Sequence, residues 1–290
     1  MLLPTAEGNL SEIYFPLTAN PAGYNHLLLA ENVLWQFPET QLLVFILSNG
    51  RHPDPFKTVQ IPHPSLRYEI LRNALLEWSD PENSLPARYA DESKVLLKLG
   101  RNNCAISRWE LSFSSPLRLA DHVQYFSTDQ KIALIVGADL IQRMLDPRIF
   151  TDTDLAQIES GCLLIAAPRD DIDLKKTLQL IKQKRGLKLS VLQITPSVLP
   201  KKLQKFYQIS STHIRKAAQA GHSLEAFLPV NAALHISQNH LYNRRKQNTD
   251  SNYSHLNEHQ HSCFELKEQL EAAAVKLQKH LVQRAKNGQP

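Results

Sequence analysis

The 290-residue sequence predicts an α/β fold in which a mainly parallel sheet carries helices on both faces. Strand-like apolar segments alternate with helical segments, and Gln41–Ser48 is a continuous apolar run typical of a strand buried on both sides. Hydrophobic residues make up 42% of the chain, enough for a proper core. Such an alternation is typical of a Rossmann-like domain. The predicted strands are Ile13–Thr18, Gln41–Ser48, Asn102–Leu111, Lys131–Val136, Gly161–Ala166 and Leu187–Ile194.

Helical patterns and loops fill the intervals between these strands. The two clearest patterns run from His26 to Phe37 and from Ser65 to Trp78. The stretch Trp78–Leu97 is long and contains prolines, which predicts an inserted loop. In a parallel sheet the loops that follow the strands form the ligand site, so residues just after each strand are the first candidates for function.

Composition narrows the class of protein but does not assign a function. The net charge of +5 is consistent with a weak affinity for phosphate or nucleic acid, and equally with simple solubility. We find no apolar run of membrane-spanning length and no signal peptide at the start. The three cysteines are scattered and form no CxxC pair, which favours a reducing, cytoplasmic location.

The sequence predicts three regions: an α/β domain at 1–243, a polar linker at 244–262 and an amphipathic helix at 263–290. The linker holds three histidines close to Cys263, a spacing that suits either a metal or, more simply, a flexible polar tract. We expect the last helix to pack on the body or to mediate self-association, because one of its faces is apolar. That face contains Leu266, Leu270, Ala273, Ala274, Leu277 and Leu281.

A predicted anion site lies late in the α/β domain. Three adjacent hydroxyl residues precede a short helical pattern that ends at Gly221. Serine and threonine oxygens accept hydrogen bonds from the first free amides of a helix, and glycine supplies the left-handed residue that closes it. The helix start and the guanidinium of Arg215 would attract phosphate, although an ordinary capped helix explains the same pattern. The hydroxyl residues are Ser210, Ser211 and Thr212.

The segment Ile209–Arg215, ISSTHIR, resembles the ISSTxIR signature of the nicotinate and nicotinamide mononucleotide adenylyltransferases, members of the nucleotidylyltransferase superfamily. In that family the segment holds the triphosphate of ATP. The resemblance runs from about Ile13 to Tyr242 and implies a fold of the nucleotidylyltransferase type. It also implies that ATP is bound by Ser210, Ser211, Thr212 and Arg215.

The loop after the first predicted strand resembles the family only in part. The family has a glycine-rich turn, then Phe, Asp or Asn, Pro and an HxGH box at the start of the first helix. Asn20-Pro21 and His26 match this pattern, whereas Gly23 stands in place of the first histidine and Asn25 in place of the glycine of the box. The resemblance implies that His26 is catalytic and donates to a phosphate oxygen. The alternative is that it only caps or packs at the helix start. The candidate replacements for the missing histidine are Tyr24, Asn25 and His52.

Further family positions lie after other strands. Gly137 and Asp139 reproduce a GxD motif, which implies close approach of the backbone and a carboxylate that accepts from ribose hydroxyls. Lys57 and Arg67 are candidate phosphate contacts, with a loop lysine and a helix-surface arginine as the alternatives. The family's Trp that stacks on the pyridine ring is absent, and Phe150 is a candidate substitute.

The resemblance implies transfer of AMP from ATP to a pyridine mononucleotide, with Mg²⁺ bound to ATP and pyrophosphate released. Its expected partners are therefore ATP and a mononucleotide. No association with a membrane is expected. The altered HxGH box keeps open a catalytically weak or inactive relative that only binds nucleotide. The missing Trp, and the absence of the family's Tyr-Thr box after Glu110, keep open a nucleotidylyltransferase for a different phosphorylated acceptor.

Overall fold

The computed structural model describes residues 10–50, 61–80, 99, 103–115, 117–127, 130–168, 172–195 and 201–242. These residues belong to a compact unit that runs from Met1 to Asn243. The predicted linker, the predicted C-terminal helix, Lys57, His52 and most of the predicted inserted loop lie outside the described residues.

The described residues contain a six-stranded sheet, and the pairings along it are parallel, which confirms the predicted fold class. The strands follow one another in space as β3-β2-β1-β4-β5-β6. Apolar runs buried on both faces form the inner strands, as is usual for parallel sheets. The bounds are β1 Glu12–Leu17, β2 Leu42–Leu47, β3 Cys104–Ser107, β4 Ile132–Gly137, β5 Cys162–Ala167 and β6 Ser190–Gln193.

Helices cover both faces of this sheet, also as predicted. Neighbouring residues of β4 show this arrangement, because Ile135 belongs to one hydrophobic cluster and Leu134 and Val136 belong to the other. The first cluster includes residues of α1, α2, α8 and α9, and the second includes residues of α3 to α6. The helices are α1 Tyr24–Gln36, α2 Pro64–Trp78, α3 Leu119–Phe126, α4 Ala138–Arg143, α5 Asp152–Gly161, α6 Leu174–Arg185, α7 Lys201–Gln204, α8 Ser211–Gln219 and α9 Val230–Gln238.

Local sequence signals set the ends of several helices. Thr151 begins α5 by accepting from the amide of Asp154 at 3.1 Å. The carboxylate of Asp173 accepts from the amide of Lys176 at 2.9 Å at the start of α6, and Gly186, with φ of +69°, closes that helix. These caps place the helices that follow β4 and β5.

The predicted strand Asn102–Leu111 is too long. Only Cys104–Ser107 is a strand, and Trp109–Ser112 forms a 3₁₀ helix. The turn brings the carboxylate of Glu110 inward, where it accepts from the amide of Asn49 at 3.0 Å and meets Nε2 of His122 at 3.1 Å. A carboxylate that is only 2% exposed needs such partners, and a straight strand would not direct it to them.

The sheet divides between β1 and β4. β1 and β2 pair along all six residues, and so do β4 and β5. In contrast, β1 and β4 pair only at Ile13 with Ala133 and at Tyr14 with Leu134, near their amino ends. The strand order also reverses here, and such switch points are where parallel α/β sheets bind ligands, beyond the carboxyl ends of the strands. The loops after β1 and β4 therefore flank the expected site.

Candidate active site

The signature helix α8 begins and ends as the sequence predicts. The hydroxyl of Ser210 accepts from the amide of His213 at 3.3 Å, so Ser210 is the N-cap residue. At the other end Gly221 has φ of +74°, and the amide of His222 donates to the carbonyl of Ala217 at 3.0 Å. This pattern is typical of a helix closed by a left-handed glycine. The predicted capped helix is confirmed.

This helix start lies directly on the loop that follows β1. The hydroxyl of Ser211 donates to the carbonyl of Pro21 at 2.9 Å. The guanidinium of Arg215 donates from Nη1 to the carbonyl of Asn20 at 2.6 Å and from Nη2 to the hydroxyl of Thr212 at 3.0 Å. Partial burial lowers the pKa of Arg215, but an arginine keeps its charge at neutral pH. The structure thus places a cation and a helix start beside the loop that leads to His26.

His26 occupies the third position of α1. Its Nδ1 accepts from the amide of Gly23 at 3.1 Å, so the imidazole does cap the helix start. A nitrogen that accepts carries no proton, and the proton of a neutral ring is then on Nε2, which can donate. Capping by Nδ1 and donation by Nε2 are therefore compatible, and the observed cap does not exclude a role for His26 in phosphate binding.

Gly23, which stands in place of the first histidine of the family box, is packed closely against α8, and a side chain here would require a neighbour to shift. A Cβ atom at this position would lie 2.5 Å from Cδ1 of Ile214 and 3.2 Å from the carbonyl oxygen of Phe227. The next residue, Tyr24, also donates its amide to that carbonyl, at 3.0 Å. The close packing of the loop on α8 accounts for the glycine.

One of the candidate replacements for that histidine is excluded. Tyr24 is only 2% exposed and packs in the core against Trp78 and Phe206, so its hydroxyphenyl ring does not line the loop. Asn25 is partly buried beside Gly23, and its Oδ1 atom is buried without a hydrogen-bond partner. His52 lies outside the described residues.

Arg67 lies at the carboxyl ends of β1 and β2, fully buried. It donates from Nη1 to the carbonyl of Thr18 at 2.6 Å, from Nη2 to that of Ser48 at 2.8 Å and from Nε to that of Pro62 at 3.0 Å. Burial lowers its pKa to about 10. The alternative of a helix-surface arginine is wrong, because α2 directs this side chain into the domain. Its observed bonds hold the loops after β1 and β2 together.

Gly137 ends β4 and Asp139 lies in the first turn of α4. Oδ1 of Asp139 occupies the space that a Cβ atom on residue 137 would need, so a side chain there would displace this carboxylate. The loop is at the carboxyl end of β4, across the division of the sheet from the loop after β1.

Phe150 is not a substitute for the family's pyridine-stacking Trp. It is 4% exposed and belongs to the second hydrophobic cluster, and its carbonyl accepts from Nη2 of Arg185 at 2.8 Å. A ring held in the core has no free face for a ligand.

Sequence analysis missed the role of Tyr242. The hydroxyl of Tyr242 donates to Oδ1 of Asn20 at 2.8 Å, and burial raises the pKa of this phenol. Asn20 therefore accepts from Tyr242 at its side chain and from Arg215 at its carbonyl. Asn20 and Tyr242 are 222 positions apart in the chain, and the sequence around Tyr242 carries no local signal for their contact.

No helix among the described residues is both long and apolar enough to cross a membrane. Within the same part of the chain, no three His, Cys, Asp or Glu side chains come together in a way that could hold a metal ion.

The sheet order, the division between β1 and β4 and the covering helices define a Rossmann-like α/β protein. The chain is 26% identical over 226 residues to a probable nicotinate-nucleotide adenylyltransferase of Synechococcus sp. (strain JA-2-3B'a(2-13)), a match that covers 78% of this chain and 93% of the relative. This similarity confirms the resemblance seen in the motifs.

A solved structure has the same fold. The nicotinic acid mononucleotide adenylyltransferase of Plasmodium falciparum, complexed with APC, superposes with a TM-score of 0.52 at 12% identity, covering 80% of this chain and 96% of that one. No protein-family model matches the chain. The chain is therefore similar to these adenylyltransferases at low sequence identity.

Proposed function

We propose that the protein transfers AMP from ATP to nicotinate mononucleotide, or its nicotinamide counterpart, and releases pyrophosphate in NAD biosynthesis. One observation carries the proposal: the start of α8 is hydrogen-bonded to the loop after β1 through Ser211 and Arg215, beside the division of the sheet. The similarity to a probable nicotinate-nucleotide adenylyltransferase over most of both chains supports the choice of reaction.

The start of α8 would bind the triphosphate of ATP. Free amides at a helix start attract anions, and Ser210, Ser211 and Thr212 add hydroxyl groups. Arg215 adds a full charge, and the planar fork of a guanidinium suits two phosphate oxygens. Two of its five N–H groups bond to the protein at Asn20 and Thr212, which leaves donors of the same group for the ligand.

His26 would act on the α-phosphate. The phosphate of the mononucleotide attacks the α-phosphorus, the bond from that phosphorus to the bridging oxygen breaks, and pyrophosphate leaves. The attacking phosphate is already ionised near neutral pH, so no strong base is needed, and the protein's task is positioning and charge stabilisation. The Nε2–H group of His26 would donate a hydrogen bond to an oxygen of the α-phosphate as negative charge develops there.

Magnesium enters this reaction as part of the substrate, MgATP. Mg²⁺ commonly keeps several waters and is bound through substrate phosphates and one or two carboxylates. Across the division of the sheet from the loop after β1, we assign Gly137 and Asp139 to the ribose of ATP, with the Asp139 carboxylate accepting from its hydroxyls. Lys57 remains a candidate phosphate contact. For Arg67 the structure favours a role in holding the two loops.

A second candidate function is nucleotide binding with little or no turnover. The glycine at residue 23 favours it, because the chain lacks a phosphate-binding histidine where the family has one and Ile214 occupies the adjoining space. A third candidate, a nucleotidylyltransferase for another phosphorylated acceptor, is favoured by the burial of Phe150.

One assay separates the three. Purified protein is incubated with ATP, Mg²⁺ and nicotinate or nicotinamide mononucleotide, while pyrophosphate and the dinucleotide are measured. We expect both products with a pyridine mononucleotide. Tight ATP binding without pyrophosphate would support the second candidate. Pyrophosphate formed only with a different phosphorylated acceptor would support the third.

A further inference from the structure

Tyr242 lies outside the sequence motifs but contacts the candidate site through Asn20. It follows α9 with φ of +65°, a conformation that is uncommon for a bulky residue and costs backbone strain. Its side chain is 6% exposed and packs with the first hydrophobic cluster. The strained backbone directs the phenol inward, where its hydroxyl reaches the loop after β1.

The residue that accepts from this hydroxyl, Asn20, also accepts a hydrogen bond from the signature arginine. Asn20 is 5% exposed, and its side-chain oxygen accepts from Tyr242 at 2.8 Å while its main-chain oxygen accepts from Arg215 at 2.6 Å. Fixing the side chain of a residue restricts its peptide group as well. The orientation of the Asn20 carbonyl, and with it that of the guanidinium, therefore depends on the Tyr242 hydroxyl.

Electrostatics favour a neutral phenol in this position. Burial raises the pKa of Tyr242, while the guanidinium groups of Arg215 and Arg67 oppose that shift. The hydroxyl keeps its proton at neutral pH and can donate only because it does so. A phenylalanine would keep the ring packing and lose this donor, so the hydrogen bond can be tested separately from the burial.

We propose that Tyr242 is a positioning residue of the nucleotide site, which holds Asn20 so that Arg215 presents its fork to the triphosphate of ATP. This inference rests on the proposed binding of ATP at α8, and it extends the site to the last described residue of the domain. Neither the signature segment nor the altered HxGH box contains Tyr242.

The test compares Tyr242→Phe with a matched control in the full-length protein. Tyr207 is also a phenol whose pKa burial raises. It accepts from Nδ2 of Asn32 at 2.6 Å, and among the described residues its hydroxyl bonds to no residue of the loop after β1. We expect Tyr242→Phe to weaken ATP binding measured by calorimetry about threefold to tenfold, the effect of one lost hydrogen bond. Tyr207→Phe should bind ATP like the wild type, although both variants lose a buried bond and some thermal stability.

A double-mutant cycle then shows whether the effect passes through the arginine. Arg215→Lys keeps the charge without the fork, and we expect Tyr242→Phe to add little to it. The KM for ATP should rise in Tyr242→Phe while the KM for the mononucleotide stays unchanged. Equal effects of the two tyrosine variants, or full additivity with Arg215→Lys, would overturn the inference. So would a wild-type protein that binds no ATP. A wild type that binds ATP without forming dinucleotide would defeat only the proposed reaction, because the binding comparison still decides the role of Tyr242.

Discussion

The two halves of the candidate site differ in how closely they follow the family pattern. The start of α8 keeps the signature from Ile209 to Arg215, whereas the loop after β1 has lost one histidine and the glycines of its motif. In the structure these halves are in direct contact through Ser211 and Arg215, and the glycine that stands in place of the histidine faces Ile214 of α8. A side chain at this position of the loop would therefore press on the helix.

This difference indicates how the phosphate-binding task would be divided. Caps, backbone amides and Arg215 form the α8 half, and each depends on local geometry that the short signature encodes. The loop half retains one imidazole, His26, whose Nδ1 is used to start α1. We infer that charge neutralisation rests mainly on α8 and that His26 acts as a single donor. The predictions below test this division.

The largest effect is expected at Arg215. Arg215→Ala removes the full charge of the α8 half and also the bonds to Asn20 and Thr212. We expect kcat/KM for dinucleotide formation to fall about 10²–10³-fold or more, the range for loss of a charge-stabilising donor. The matched control is Lys216→Ala, an exposed cation on the next residue of the same helix, which should change activity little. Equal losses in the two variants would show that only the general charge of the helix matters.

His26 should come next, and its two nitrogens can be separated. An asparagine places its side-chain oxygen near the position of Nδ1, so His26→Asn can still accept from the amide of Gly23 but has no donor in place of Nε2. We expect thermal stability near that of the wild type and a fall in kcat of about 10²-fold.

The outcome for His26→Asn is read against His26→Ala, which loses the cap as well and should be both inactive and less stable. Full turnover in His26→Asn would mean that the imidazole is structural and that the loop half contributes no donor to the reaction.

Substitution of Gly23 tests whether a side chain at this position presses on Ile214. Gly23→Ala would bring a Cβ atom within 2.5 Å of Cδ1 of Ile214, and overpacking of this kind typically costs about 1–3 kcal/mol. Ile214→Val removes that Cδ1 atom. We therefore expect Gly23→Ala to lower the free energy of unfolding less in the Ile214→Val background than in the wild type, as measured by denaturant titration.

Strict additivity of these two substitutions would contradict the packing account of the loop. In that case the glycine would be required for the approach of its backbone to Phe227 or to the ligand, and not for its contact with Ile214.

Sequence patterns predicted those parts of the molecule that depend on neighbours along the chain. The apolar runs gave β2, β4 and β5 with ends close to the observed ones, and the hydroxyl residues and Gly221 gave the limits of α8. Such features need only local periodicity and cap chemistry. For the same reason β3 was predicted too long, because its end is set by the partners of Glu110, which come from two other elements.

The contacts that assemble the site could not be predicted in this way. Arg67 was a candidate phosphate contact, with a helix-surface arginine as the alternative, yet it is fully buried between carbonyls of two loops. The bond from Tyr242 to Asn20 joins the two ends of the domain. Tertiary pairing of this kind leaves no periodic trace in the sequence, and the predicted motif positions did not show which residues orient Arg215.

The smallest predicted effect concerns how stability changes with pH, which we expect to depend on a histidine outside the candidate site. His235 of α9 is partly buried, its Nε2 has no hydrogen-bond partner among the described residues, and burial lowers its pKa from the ordinary value of about 6.5. Its unfolded form therefore binds a proton more readily than the folded form, so stability is fully present above pH 6.5 and declines as the pH falls through the lowered pKa. His235→Gln should flatten this decline, measured as Tm against pH, whereas His222→Gln, a change at an exposed histidine, should not. An unchanged pH profile in His235→Gln would assign the acid sensitivity elsewhere. Neither variant should alter kcat at pH 7.5, because neither residue bonds to the loop after β1, so an acid loss of activity that survives His235→Gln would belong to the site and not to the scaffold.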